Sequence, residues 1–172
     1  MCISGYIRDI LGVECLKGKG FIQNISQIFM EEGYYVDTCV YLNIWQKEVA
    51  NSIELWKLAK EFFDKIEERG NIIYYSGFIL KELMYILSEE EYYQKRELFN
   101  GSSNFIKATL NEAEYEEARK IEMDLKGKIG FYDIMHMLLA RKTHSVLITR
   151  DKKLIETSNK FNVKVKRPEE VL

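Results

Sequence analysis

Tyr34-Tyr35-Val36-Asp37-Thr38 is a short apolar run that closes on an acid and a hydroxyl, and helical spacing follows it over residues 40–47. Aromatic and β-branched side chains suit a strand, and Asp readily turns the chain out of one. Near the far end the same grammar returns. Ser145-Val146-Leu147-Ile148-Thr149 reads as a strand, and Asp151 opens a short helix over 152–159. Between these runs, strand patterns at 72–75 and 104–109 alternate with helical patterns at 52–69, 78 to about 98, 111 to about 126 and 131–142. A last strand falls at 162–165. Gly70 marks the stop of the first long helix, and Asn111 with Glu114 gives a capping signal for a later one. Strands separated by helices need crossover connections, so the fold class is α/β, with a mostly parallel sheet and helices on both faces. Ligands of such sheets bind outside the carboxyl ends of the strands, where Asp37 and Asp151 both fall.

The 172 residues suffice for one domain around one core, and a hydrophobic content of 47% excludes a disordered class. Residues 34–172 carry the regular pattern. Residues 1–33 are an N-terminal appendage without an assigned role. Ile22, Ile25, Ile28 and Phe29 have the spacing of a short amphipathic helix, and Met30 offers an alternative translation start. Cys2, Cys15 and Cys39 form no CxxC pair, which suits free thiols in a cytoplasmic setting better than a zinc site or a disulfide framework. No apolar run approaches the ~18 residues of a membrane span, so no membrane partner is expected. Arg8, Asp9 and Glu14 interrupt the N-terminal apolar segment, unlike a signal peptide. The net charge of -2 speaks mildly against a nucleic-acid partner, although a local cationic rim is enough to hold phosphates.

Four carboxylates stand in positions that need an explanation. Asp37 alone reads as an Asx turn, and Asp151 alone as an N-cap. Glu82 is more informative, because its helical neighbours Phe78, Ile79, Tyr85 and Ile86 are all apolar or aromatic. A carboxylate on such a face is costly unless something pairs with it. Asp133 opens a helix that is apolar almost all round; the helix dipole accounts for part of its presence. His136, one turn later, reads as a satisfied core residue rather than a ligand. Gathered together, four such acids repel and raise one another's pKa. A hard divalent cation, Mg²⁺ or Mn²⁺, is the economical explanation, because it prefers oxygen ligands and activates water. Runs such as Glu89-Glu90-Glu91 and Glu116-Glu117 are solvated faces.

Taken in order, Tyr-Val-Asp37-Thr38, Lys-Glu82-Leu, Gly130-Phe-Tyr-Asp133-Ile-Met-His136 and Leu-Ile-Thr149-Arg-Asp151-Lys-Lys resemble the motifs of the PIN-domain family. The resemblance is strongest to the VapC-like toxins of prokaryotic toxin–antitoxin pairs. No single motif is specific; the order, spacing and strand–helix context carry the match, which runs from Tyr34 to the end. It implies a three-layer α/β/α sandwich with the acids at one end of a mostly parallel central sheet. It also implies Mg²⁺- or Mn²⁺-dependent cleavage of RNA phosphodiesters, with Thr38 and Thr149 as supporting hydroxyls. The implied partners are an RNA substrate, a small antitoxin protein that often inserts a basic side chain into the acid cluster, and a second copy in a homodimer. The extension at 1–33 departs from the family pattern. The alternative is a catalytically inactive PIN scaffold that binds RNA or a protein partner.

On this reading Asp37, Asp133 and Asp151 hold the metal, and Glu82 completes the cluster and orients or deprotonates the attacking water. Arg141, Lys142, Arg150, Lys152 and Lys153 are candidates for RNA phosphates. Tyr41 and Trp45 could stack bases but fit the core or an interface better. A phospho-accepting receiver domain would need an acid pair before the acceptor strand and a late Lys-Pro. A dehalogenase-type phosphatase would need Asp-x-Asp after the first strand, where position 39 is Cys.

Overall fold

The structure is a computed structural model and describes residues 32–172. The helix expected at 22–29 and Met30 lie outside the described residues, as does nearly all of the appendage. The expected parallel sheet is present. Its strands are β1 (Tyr34–Val36), then, past a small hairpin of β2 (Val49–Ala50) and β3 (Ile53–Glu54), β4 (Ile73–Tyr75), β5 (Phe105–Lys107), β6 (Val146–Ile148) and β7 (Val165–Lys166). The order across the sheet is β5-β4-β1-β6-β7, and every pairing in it is parallel. Helices α1 (Thr38–Trp45) and α2 (Leu55–Arg69) connect β1 to β4, and α3 (Gly77–Ile86) and α4 (Glu89–Gly101) connect β4 to β5. Helices α5 (Glu112–Asp124) and α6 (Phe131–Lys142) lead to β6, and α7 (Lys152–Lys160) to β7, in the α/β/α arrangement.

Burial follows the apolar pattern. All of β1 and β6 is buried, as expected of central strands covered on both faces. Helix α6 is buried along residues 134–140, including His136. Gly70 ends α2 with a left-handed φ of 71°, and Asn111 and Glu114 form the expected capping box. Among the described residues no helix is long and apolar enough to cross a membrane.

Two helical expectations are corrected. The helix read from residue 52 begins at Leu55, because Asn51 and Ser52 both take positive φ and close the β2–β3 hairpin. Two left-handed central residues are the signature of a two-residue hairpin turn. The single helix read over 78–98 is two. Leu87 is extended, and Ser88 starts α4 with a capping box to Glu91. The strand expected at 104–109 is shorter, Phe105–Lys107, and the one expected at 162–165 is shorter and shifted, to Val165–Lys166.

Strand order reverses at β1: the chain builds β4 and β5 on one side, then crosses to β6 and β7 on the other. Such a reversal opens a crevice at the carboxyl ends of the strands. Residues 37 and 149–151 leave the sheet there.

Candidate functional site

The site is assembled from the reversal outward. The Asp37 backbone N–H donates to Ile148 O at 2.9 Å, so the end of β1 stays tied to the end of β6. The Asp37 carboxylate is 8% exposed and accepts from Thr149 Oγ1 at 2.6 Å and from Cys39 Sγ at 3.1 Å. Next along, the Thr38 hydroxyl donates to Glu82 Oε2. Glu82 Oε2 also lies 3.1 Å from His136 Nε2. The other ring nitrogen, Nδ1, is 2.9 Å from the Tyr35 hydroxyl, which is 2.7 Å from Ser76 Oγ. Ser76 is the N-cap of α3 and accepts from Phe78 N. Ligand atoms of Asp37, Glu82 and His136 all lie within 4.8 Å of one another.

Asp133 and Asp151 lie outside this tight group. Asp133, half-buried in the first turn of α6, accepts from Gly130 N at 3.1 Å. Burial raises its carboxyl, the charges of Asp37 and Asp151 add to the rise, and His136 and the Gly130 N–H oppose it. The three aspartates therefore share one electrostatic neighbourhood. Asp151 is exposed and caps α7, its Oδ1 accepting from Leu154 N at 2.9 Å. Its own N–H donates to Thr149 Oγ1 at 3.1 Å, so one hydroxyl braces both aspartates.

Electrostatics set Glu82 and His136 apart. Burial pushes the Glu82 carboxyl up, but the hydrogen bond and charge of His136, with the Thr38 hydroxyl, outweigh it and hold the group below the ordinary carboxylate range. Burial pushes the His136 ring down, and the Glu82 hydrogen bond with the charges of Asp37, Glu82 and Asp133 raises it above its ordinary value. Among the described residues no lysine or arginine pairs with Asp37, Glu82, Asp133 or Asp151.

The cationic candidates divide. Arg141 pairs with Glu117 at 2.5 Å and Lys142 with Glu114 at 2.7 Å, tying α6 to α5. Arg150 turns inward, donating to Asn43 Oδ1 at 2.8 Å and pairing with Glu169 at 2.7 Å. Lys152 and Lys153, in the first turn of α7, are exposed and form no ion pair among the described residues. Tyr41 is a core residue, packed on Phe63 and Phe99 with ring centroids 5.3 and 5.2 Å away. The argument from apolar neighbours holds for one side of Glu82. Ile79 is buried, whereas Tyr85 and Ile86 are 70% and 50% exposed. Sequence reading placed His136 in the core and missed its polar partners, which come from strands and helices far along the chain.

Residues 34–160 match the family model of the PIN domain. No curated protein matches the chain. Among solved structures, FitAcB from Neisseria gonorrhoeae shares 16% identity at a TM-score of 0.54, covering 78% of this chain and 97% of that one. VapBC-1 from nontypeable Haemophilus influenzae shares 18% at 0.54, with the same coverages. VapBC2 from Rickettsia felis, bound to a DNA fragment from their promoter, shares 19% at 0.53, again over 78% and 97%. At these identities the likeness is one of fold.

Proposed function

The chain belongs to the PIN-domain family, and we propose that it is a divalent-metal-dependent endoribonuclease, the toxin of a VapBC-type toxin–antitoxin pair. The supporting observation is the convergence of Asp37 and Glu82, with Asp133 in the field of Asp37 and Asp151, at the carboxyl edge of the sheet without a neutralising lysine or arginine. An oxygen-rich, uncompensated set of this kind fits a hard cation such as Mg²⁺ or Mn²⁺. Asp37, Asp133, Asp151 and Glu82 would hold it. When bound, the cation supplies a more acidic water and neutralises charge on a phosphate oxygen.

The residues of the chain do the rest. Thr149 fixes Asp37 and the entry to Asp151, and Thr38 and His136 fix Glu82. Glu82 completes the cluster and orients or deprotonates the attacking water. Lys152 and Lys153 stand beside Asp151, where they can meet the phosphates of an RNA strand. Hydrolysis leaves a 5′-phosphate and a 3′-hydroxyl. The partner is a small antitoxin, a reading supported by the fold shared with chains of the VapBC and FitAcB structures, and on the same proposal the protein acts as a cytoplasmic homodimer.

The test is RNA cleavage by the purified full chain with Mg²⁺ or Mn²⁺, with EDTA, and with Asp133→Asn. Cleavage that requires the cation and is lost in the folded variant supports the proposal. Absence of both cleavage and a cation-dependent thermal shift would leave an inactive PIN scaffold. Products ending in 2′,3′-cyclic phosphate would overturn the hydrolytic mechanism.

A further inference from the structure

His136 sits against the acid cluster with a fully buried ring and both nitrogens engaged: Nε2 3.1 Å from Glu82 Oε2, and Nδ1 2.9 Å from the Tyr35 hydroxyl. An ionised carboxylate only accepts hydrogen bonds, so Nε2 must carry the hydrogen of the first contact. A hydroxyl both donates and accepts, so Nδ1 can be served in either state of the ring. With a neutral ring, Ser76 donates to Tyr35, and Tyr35 donates to Nδ1. With a charged ring, Nδ1 donates to Tyr35 instead. Ser76 Oγ, 2.7 Å from Tyr35, keeps the Phe78 N–H as a donor throughout. Any change of protonation is taken up at Nδ1, while Nε2 keeps its hydrogen. A nitrogen that carries a hydrogen offers no lone pair to a cation.

We infer that His136 is a positioning residue for Glu82 and not a ligand of the metal, even though a ring nitrogen lies within 4.8 Å of a carboxylate oxygen of Asp37 and of Glu82. His136 and Thr38 together occupy Oε2 of Glu82. Oε1 accepts no hydrogen bond among the described residues and is the oxygen left to serve the cluster. What Glu82 does there rests on the nuclease reading; the direction of the hydrogen bonds does not.

The chain has two histidines, His136 and His144, so ¹⁵N-histidine NMR of the full chain, assigned with His144→Gln, reports the ring directly. The expected result is a proton-bearing Nε2 on His136 that persists from metal-free protein through titration with Mg²⁺. Loss of that proton on adding Mg²⁺, or a metal-free ring protonated at Nδ1 alone, overturns the inference. A second arm compares His136→Gln, whose amide can donate from the place of Nε2, with His136→Leu, which cannot. The Leu variant should lose about 10–100-fold in Mn²⁺ affinity or kcat, as when a hydrogen-bond partner of a ligating carboxylate is removed, and the Gln variant should recover most of it. Equal losses in both count against the inference. The NMR arm uses no substitution at His136, so a Leu variant that fails to fold does not block the decision. If the wild-type chain neither binds Mn²⁺ nor cleaves RNA, the nuclease reading falls, and the metal-free spectrum still decides whether Nε2 serves Glu82.

Discussion

A single hydroxyl braces both ends of the crevice. Thr149 is fully buried, donates to Asp37 at 2.6 Å and accepts from the Asp151 backbone at 3.1 Å. Thr149→Val keeps the shape and removes both contacts, leaving a buried carboxylate short of a donor. A hydrogen bond to a charged group contributes about 1.5–3 kcal/mol. The variant should therefore lose about that much in urea unfolding and bind Mn²⁺ more weakly. Unchanged stability would show that water replaces the hydroxyl at no cost. Asp37 and Asp151 could be read from the sequence because their placement is local, one and three residues past a strand. The partners of His136 could not, since Tyr35 lies 101 positions away and only the fold brings the two together. Arg150 misled for a similar reason: beside Asp151 it resembles a phosphate ligand, yet Asn43 and Glu169 turn it inward.

Helix boundaries show which local signals prevail. No Gly or Pro interrupts residues 78–98, so a helix reading continues past Ser88, but Ser88-Glu89-Glu90-Glu91 is itself a capping signature. Ser88 accepts from Glu91 N at 3.3 Å, and its own N–H donates back to Glu91 Oε2 at 3.1 Å. Ser88→Ala should cost about 0.5–2 kcal/mol, measured by thermal unfolding; a stabilised variant would mean that α3 and α4 can merge. The α5–α6 pair carries a pH signature. Burial works to raise Glu114, but the hydrogen bond from Lys142 and the Asn111 N–H outweigh it, so the carboxyl is held low. A depressed carboxyl adds stability above its unfolded value and loses it as pH falls through the folded one. Glu114→Gln preserves the capping box and removes the charge. Because Lys142 is 38% exposed, the loss at neutral pH should be only about 0.2–1 kcal/mol, and it should shrink as pH falls below ~4.3, the unfolded value, and vanish below the depressed folded one. A difference that stays constant with pH would mean that packing, not charge, is responsible.

Across the whole molecule the near-neutral balance of -2 conceals a local excess of negative charge. The strand-order reversal concentrates Asp37, Glu82, Asp133 and Asp151 in one region, while Arg141, Lys142 and Arg150 pair elsewhere and Lys152 and Lys153 stand beside Asp151. Alternation of strands and helices made the parallel sheet legible; strand order was not, because it is set by crossovers that no local pattern records. Stability and cation binding are therefore coupled. Burial, then the charges of Asp37 and Asp151, raise the Asp133 carboxyl in the folded chain. The folded state thus holds this proton more tightly than the unfolded state, and ionising the group as pH rises past ~4 erodes stability. Asn cannot ionise and can still accept from Gly130 N. In EDTA at neutral pH, Asp133→Asn should unfold at least as high as wild type, with the gap closing in acid. Adding Mg²⁺ or Mn²⁺ to a hundredfold excess over Kd should stabilise wild type by about 2.7 kcal/mol, or roughly 5–11 °C for a chain of this size. The variant should gain clearly less, reversing the order of the two melting temperatures. Differential scanning fluorimetry with and without EDTA reads both effects. A variant less stable than wild type in EDTA would mean that Asp133 serves the fold through its cap, and equal cation shifts in both proteins would remove it from the metal site.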